Sequence, residues 1–188
     1  CLRNLHPYAT SHVAGENAVL KMNEDKKIDG FVFRISNAFG FPINKETNCW
    51  SLVVQDFCRQ AIEKKEITIN SNIDTKRNFV PIDFICKIIN EVINIKNQLY
   101  IKNAINLGSE KSVSIKTMAN LISERHVFLT GQHIPIVYKE KKTKSIKESF
   151  LNYSIKNLEK LNFNIKPNLI SEVDNLLIFC MKNFSRRL

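Results

Sequence analysis

The run of residues 30–37, Gly-Phe-Val-Phe-Arg-Ile-Ser-Asn, limits the fold more than any other stretch of the chain. It is too short for a buried helix and is rich in β-branched and aromatic residues, so it predicts a buried strand of a parallel sheet. A turn signal over residues 37–42 follows at its carboxyl end, where open α/β sheets bind their ligands. Amphipathic patterns over 8–22 and 49–65 flank the strand. The sequence therefore favours an α/β fold.

Strands and helices continue to alternate to the end of the chain. Short apolar runs predict strands over 67–69, 104–109 and 134–138, and Pro135 limits the last of these to a sheet edge. Apolar residues spaced three and four apart predict further helices over 84–95, from 113 onward and over 170–184. A further helix is expected over 152–163.

Single residues refine these elements. Asp83 and Ser114 are expected to cap the helices that follow them, because short polar side chains accept the free N–H groups of a first turn. Asn162 is expected to end its helix in the left-handed conformation. The inward face of the first helix is expected to consist of Val13, Ala14, Ala18, Val19 and Met22.

Length and charge set limits on function. A chain of 188 residues can form one compact domain and bury about 70% of its unfolded surface. No apolar run approaches the roughly 20 residues of a membrane span, and the first residues lack the layout of a secretory signal, so a cytoplasmic protein without membrane contact is expected. The net charge of +10 is spread along the chain, which argues against nucleic acid as a partner. An anionic small ligand such as a nucleotide diphosphate suits a basic chain.

The cysteines and histidines do not predict a metal site. The five cysteines include no Cys-x-x-Cys pair, and none has a histidine at ligand spacing. His126 and His133 lie seven apart without a Cys, Asp or Glu partner at metal spacing. We therefore expect unpaired, chemically idle thiols and no bound metal.

Tyr8 and His12 are the first candidates for chemistry. Residues four apart share one face of a helix, so the phenol and the imidazole can address the same ligand. A free tyrosine has a pKa of about 10, so its use as a base near neutrality needs roughly 3 units of anion stabilisation, about 4 kcal/mol. A neighbouring positive charge is the usual means. On its own, the pattern also fits an unremarkable tyrosine and histidine on a helix surface.

The sequence Tyr8-Ala-Thr-Ser-His12 resembles the Tyr-x-x-x-Lys helix of the extended short-chain dehydrogenase/reductase family, the NAD-dependent epimerases and dehydratases of nucleotide sugars. Histidine replaces the family's lysine. Arg34, Asn37 and Gly40 match the family's next strand, Arg-x-x-Asn-x-(aromatic)-Gly. Arg77 begins a segment similar to the family's Arg-Asp-(aromatic)-Val, with asparagine in place of the acid.

The resemblance implies roles for four residues. Tyr8 would be the acid/base, and His12 would support its ionisation and contact the cofactor ribose together with it. Asn37 would bind the diphosphate or sugar of the substrate, although a strand-ending asparagine also serves as a local cap. Arg77 would bind the diphosphate, since a guanidinium forms two parallel hydrogen bonds to phosphate oxygens. The implied cofactor is NAD or NADP, the implied partner a nucleotide-diphosphate sugar, and the implied assembly a homodimer formed through the Tyr8 helix.

The family's glycine turn for the cofactor phosphates is missing from the sequence. The family begins with a strand and Gly-x-x-Gly-x-x-Gly, whereas this chain has five glycines and no such turn. We expect the carboxyl-terminal part of a Rossmann-type doubly wound sheet plus a small mixed α/β substrate-binding lobe. Residues 1–40 would end the dinucleotide-binding domain and 41–188 would mainly form the lobe, with about 80–110 returning to the cofactor domain.

This carboxyl-terminal part of an enzyme is expected to be catalytically inactive by itself. Two other interpretations stay open at this point: a degenerate member that binds nucleotide sugar without chemistry, and a basic interaction module.

Overall fold

The structure is a computed structural model that describes residues 6–95, 103–139 and 153–185. Within these ranges it contains six helices and eight short strands. They are α1 Pro7–Glu24, β1 Phe33–Ile35, β2 Asn37–Phe39, α2 Val53–Glu63, β3 Ile67–Ile69, β4 Lys76–Arg77, β5 Phe79–Pro81, α3 Ile82–Ile93, β6 Ile105–Leu107, β7 Val113–Ser114, α4 Ile115–Thr130, β8 Ile136–Tyr138, α5 Lys156–Glu159 and α6 Leu169–Phe184.

Three of the four strand pairs are parallel, which confirms the α/β prediction. β1 pairs with β6, β2 with β5 and β3 with β8, whereas β4 and β7 are antiparallel. The predicted strand over 30–37 is divided, because the chain changes partner at Ser36. The Ser36 amide donates to Leu107 O at 3.0 Å, and the next amide, of Asn37, donates to Asn78 O at 3.0 Å.

Two apolar clusters fill the described interior. The first joins α2, α4 and α6 to β3 and to parts of β2 and β5. The second joins α3 and α5 to β6 and to Val80 of β5. Arg125 of α4 and Asp174 of α6 form a two-fold hydrogen-bonded ion pair, at 2.7 and 2.8 Å, that holds the helices of the first cluster together.

The predicted inward face of α1 is partly wrong. Val13 and Val19 are half-buried, but Ala14, Ala18 and Met22 are exposed. The helix contacts the rest of the described chain through a narrow stripe, so a face rotated away from these three residues does the packing. The buried residue of α1 is Asn23, whose side-chain oxygen accepts the Gly30 N–H at 3.2 Å.

The predicted caps have different outcomes. Ser114 caps α4 as expected, since its hydroxyl accepts the Thr117 N–H at 3.0 Å. Asp83 does not cap α3. Pro81 is the N-cap, and Asp83 lies inside the first turn with its carboxylate 2.6 Å from Lys87 Nζ. Asn162 has the predicted left-handed conformation, φ 53°.

Candidate active site

Tyr8 lies in the first turn of α1, and local bonds fix that turn. Pro7 occupies the start of the helix, and His6 at the N-cap accepts the Tyr8 N–H through Nδ1 at 3.3 Å. The Ser11 hydroxyl donates to Tyr8 O at 2.8 Å. The phenol itself is 69% exposed. The helix therefore presents the Tyr8 hydroxyl to an incoming ligand instead of burying it.

The His12 ring lies directly against the Tyr8 ring. Their centroids are 4.3 Å apart and their planes are inclined by 45°. This is the arrangement expected for residues four apart on one helix face.

Both rings open into a groove of 770 Å³ between α1 and β1. Its walls combine polar side chains with the apolar start of β1; the lining residues are Tyr8, Ser11, His12, Gly15, Glu16, Val19, Phe31, Val32, Phe33, Arg34 and Ile35. The volume lies within the roughly 300–1,000 Å³ usual for small-molecule sites.

Arg34 is committed to an ion pair at this groove. Its Nε and Nη2 donate to the Glu16 carboxylate at 2.9 and 2.6 Å. These hydrogen bonds raise the pKa of Arg34, with burial acting in the opposite direction. The pair ties α1 to β1, so Glu16, which the sequence pattern leaves without a role at the site, fixes the width of the groove.

Asn37 lies where the chain passes from one strand pair to the next. Its Nδ2 donates to Asn78 O at 2.9 Å. Asn78 is buried, and its side chain donates to Ser109 O at 2.8 Å and accepts the Ser109 N–H at 3.0 Å. The side chain of the asparagine that replaces the family's acid thus joins the chain just before β5 to the segment around Ser109, while its backbone carbonyl accepts the bond from Asn37.

Arg77 is the last residue of β4, directly before Asn78 in the chain. It pairs with Val113 of β7. It is exposed, so its guanidinium is accessible to an anion. Asn37 and Arg77 therefore lie on adjoining segments. The groove that holds Tyr8 ends at Ile35, and neither Asn37 nor Arg77 is among its lining residues. The structure therefore places the four candidate residues in two pairs, Tyr8 with His12 and Asn37 with Arg77. Residues 34–37 connect the two pairs.

Tyr153 contacts the backbone of β1, a contact that sequence reasoning missed. Its hydroxyl donates to Arg34 O at 2.6 Å, and its ring lies so close to Gly108 that a Cβ there would be 2.6 Å from Cε1. Burial raises the pKa of this phenol. In the sequence, residues 152–163 resemble the family's Asp-x-Ser-Lys-x-x-x-Leu-Gly-(aromatic) helix, of which Lys156–Glu159 are helical here. That resemblance does not show that Tyr153 reaches β1.

The thiols and metal candidates add no chemistry to the site. The four cysteines in the described ranges are free. Burial raises the pKa of the Cys58 thiol well above its ordinary value and that of Cys180 to about 12. No group of three His, Cys, Asp or Glu side chains in the described ranges could hold a metal ion. None of the described helices is both long and apolar enough to cross a bilayer.

Parallel strands that alternate with helices, and polar side chains where those strands meet, define a Rossmann-type α/β protein. The chain belongs to the NAD dependent epimerase/dehydratase family, whose model matches residues 1–108. This confirms the resemblance to the extended short-chain dehydrogenases. A comparison with curated proteins gave no match.

Solved structures show the same fold at low identity. UDP-N-acetylglucosamine 4-epimerase from Methanobrevibacter ruminantium, in complex with UDP-N-acetylmuramic acid, is 19% identical with a TM-score of 0.71; the match covers 95% of this chain and 54% of that one. RMD from Pseudomonas aeruginosa, complexed with NADPH, is 17% identical with a TM-score of 0.71, at 94% and 55% coverage. UDP-glucuronic acid 4-epimerase from Bacillus cereus, with UDP-glucuronic acid and NAD, is 17% identical with a TM-score of 0.67, at 95% and 53% coverage. The chain spans about half the length of these structures.

Proposed function

We propose that the chain is part of an NAD(P)-dependent nucleotide-sugar epimerase, dehydratase or reductase in which Tyr8 is the acid/base. The observation that carries the proposal is the exposed Tyr8 phenol, with the His12 ring 4.3 Å away, at the mouth of a groove in a member of this family. A nicotinamide cofactor, held beside Tyr8 and His12, would supply hydride transfer at a sugar ring carbon. Tyr8 would take the proton from the hydroxyl on that carbon.

His12 would stabilise the Tyr8 phenolate and contact the nicotinamide ribose. The groove suits this purpose, since it combines hydroxyl, imidazole and carboxylate groups with an apolar wall. An unperturbed histidine titrates near 6.5, whereas lysine keeps its charge to about pH 10. Turnover that depends on an imidazolium would therefore have a narrower pH range than turnover supported by lysine.

Asn37 and Arg77 would bind the substrate's diphosphate. Their adjoining positions support this, as does the UDP-sugar present in two of the similar structures. A nucleotide-diphosphate sugar would extend from Arg77 past Asn37 toward Tyr8. The substrate lobe would then correspond to residues 41–188, with 80–110 returning to the cofactor domain formed by residues 1–40 and a further segment.

Two features support a larger assembly. Within the described residues β1 has one strand neighbour, β6, and its residues line the open groove, so a further half of the sheet would complete the cofactor site and the chain alone would be inactive. The exposed Ala14, Ala18 and Met22 would provide the surface for a homodimer through α1. A cytoplasmic location fits this function.

The test is turnover of UDP-sugars by a longer protein that contains this chain and the cofactor half. Tyr8→Phe should lower kcat by about 100-fold or more, because general acid–base catalysis contributes roughly 10²–10⁴-fold. His12→Lys should keep or raise kcat and extend activity to higher pH. Tyr138→Phe, the same change at an exposed tyrosine on β8, is the control.

A Tyr8→Phe enzyme as active as its parent would contradict the assignment. Histidine stands at position 12, where the family has lysine. This favours a second candidate function, a family member that binds nucleotide sugar without efficient chemistry. That candidate predicts binding without turnover in the wild type, and turnover gained on His12→Lys.

A further inference from the structure

Glu172 is a buried carboxylate in the first turn of α6. Its residue is 4% exposed, although glutamate is rarely buried unless it is paired. Its Oε1 lies against Gly40, the residue that follows β2. A Cβ built on Gly40 would overlap that oxygen and would lie 3.1 Å from Ile82 Cβ. A side chain at Gly40 would therefore have to displace the Glu172 carboxylate and press against Ile82 at the start of α3.

The same carboxylate lies near the backbone N–H of Asp83, which acts to lower the pKa of Glu172. Asp83 lies in the first turn of α3, whose N-cap residue is Pro81 and makes no side-chain capping bond. The first N–H groups of a helix need an acceptor, and the positive end of the helix favours an anion. Glu172 brings a carboxylate close to this helix start from α6, about ninety residues further along the chain.

The Glu172 side chain thus lies at the carboxyl ends of two paired strands, β2 and β5. β2 and β5 are parallel, with Asn37 opposite Phe79 and Phe39 opposite Pro81. Glu172 contacts β2 where it ends at Gly40, and β5 where it continues into α3. Gln55 of α2 donates to Gly40 O at 3.5 Å and adds a second polar contact at the same turn.

Burial raises the pKa of Glu172, and the nearby Asp83 carboxylate acts in the same direction; the bond from the Asp83 N–H and the Lys87 charge act in the other. Burial is the largest of these effects, so the surroundings of Glu172 favour the protonated carboxyl.

We propose that Glu172 is a positioning residue for the nucleotide-sugar site: it holds the ends of β2 and β5 together and so fixes Asn37 at the start of β2 relative to the segment that carries Arg77. The inference rests on the proposed function, because it assigns Asn37 and Arg77 to the ligand.

The contact is tested by a cycle of Gly40→Ala, Glu172→Ala and the double variant in urea unfolding. Gly40→Ala alone should lower the urea midpoint by roughly 1 M, as expected for overpacking. In the Glu172→Ala background the loss should shrink markedly and leave only the contact with Ile82. Gly15→Ala is the control, since a Cβ there meets nothing within 4 Å. An equal loss in both backgrounds would overturn the contact.

The positioning role is tested by the Kd for UDP, measured where every variant is fully folded. Glu172→Ala should raise Kd at least about fivefold, because small displacements of binding groups are costly. Glu172→Gln, which can still accept the Asp83 N–H, should bind like the wild type. An unchanged Kd in Glu172→Ala would overturn the role and leave the proposed function intact. Failure of the wild-type chain to bind UDP would overturn the proposed function and the role with it, while the urea cycle separately decides the contact.

Discussion

His126 shows how a single buried side chain can make stability depend on pH. It is 1% exposed, and its Nδ1 lies 2.9 Å from Gln132 O, so Nδ1 carries the proton and donates. Nε2 has no partner within the described residues. Burial lowers the pKa of His126; the Gln132 carbonyl acts in the opposite direction and the Lys65 charge in the same one. The neutral ring is therefore the form that the fold accepts.

This environment predicts a loss of stability on mild acidification. The unfolded chain protonates His126 near 6.5, whereas the folded chain does so only at lower pH. Stability is therefore complete above about pH 6.5 and falls as pH decreases toward the folded pKa. In urea unfolding between pH 7.5 and 5, His126→Gln should be less stable than wild type at pH 7.5 but should show a smaller loss on acidification.

His133→Gln is the matched control, because His133 is exposed. It should keep the wild-type pH profile. The raised pKa of Glu172 contributes equally to every variant and cancels in the comparison. An identical loss in His126→Gln and wild type would contradict the assignment.

At the residue scale the sequence predicts contacts within one helix and misses those between segments. The spacing of Tyr8 and His12 is enough to predict their shared face. The bond from Asn78 to Ser109 spans 31 residues, and the bond from Tyr153 to Arg34 spans 119. No local pattern encodes such pairs, because each depends on how separate elements pack.

At the scale of elements, the joint between α1 and β1 determines the shape of the proposed active-site groove. Glu16 and Arg34 form this joint, and their side chains are 15% and 47% exposed. Glu16→Gln should lower the free energy of unfolding by roughly 0.5–1 kcal/mol, the usual range for a partly exposed pair. Amide exchange in α1 should become faster, because the helix loses its charged contact with the strand.

Glu24→Gln provides the comparison for that measurement. Glu24 pairs with Lys21 on the surface of the same helix, where its side chain is 65% exposed, so its replacement should change both readouts less. Equal effects of the two substitutions would show that the Glu16–Arg34 pair does not hold α1 in place.

Two helices, α4 and α6, begin close to their predicted starts. α6 was expected over 170–184 and spans Leu169–Phe184, and α4 begins at its predicted cap. The prediction of the inward face of α1 was partly wrong, because small apolar residues lie on more than one side of this helix. The strand over 30–37 was misjudged in extent, since a change of pairing partner leaves no mark in an apolar run.

At the scale of the whole molecule, the fold class was predictable and the arrangement of the site was not. Alternating helices and strands, with motifs in family order, were sufficient for the α/β class and for the family. They do not show how far Tyr8 lies from Asn37 and Arg77, because that depends on how β1 and β2 divide between two strand pairs. We propose that Tyr8, Asn37 and Arg77 contact the same bound ligand.

A titration of the chain labelled with both ¹³C and ¹⁵N with UDP-glucose, followed by NMR at 50 and 300 mM NaCl, tests this claim most directly. The side-chain amide of Asn37, the Nε–H of Arg77 and the ring of Tyr8 should shift together with a single Kd that rises only modestly with salt. Shifts that spread over the exposed lysines and vanish at 300 mM NaCl, or separate Kd values for Tyr8 and Arg77, would contradict it.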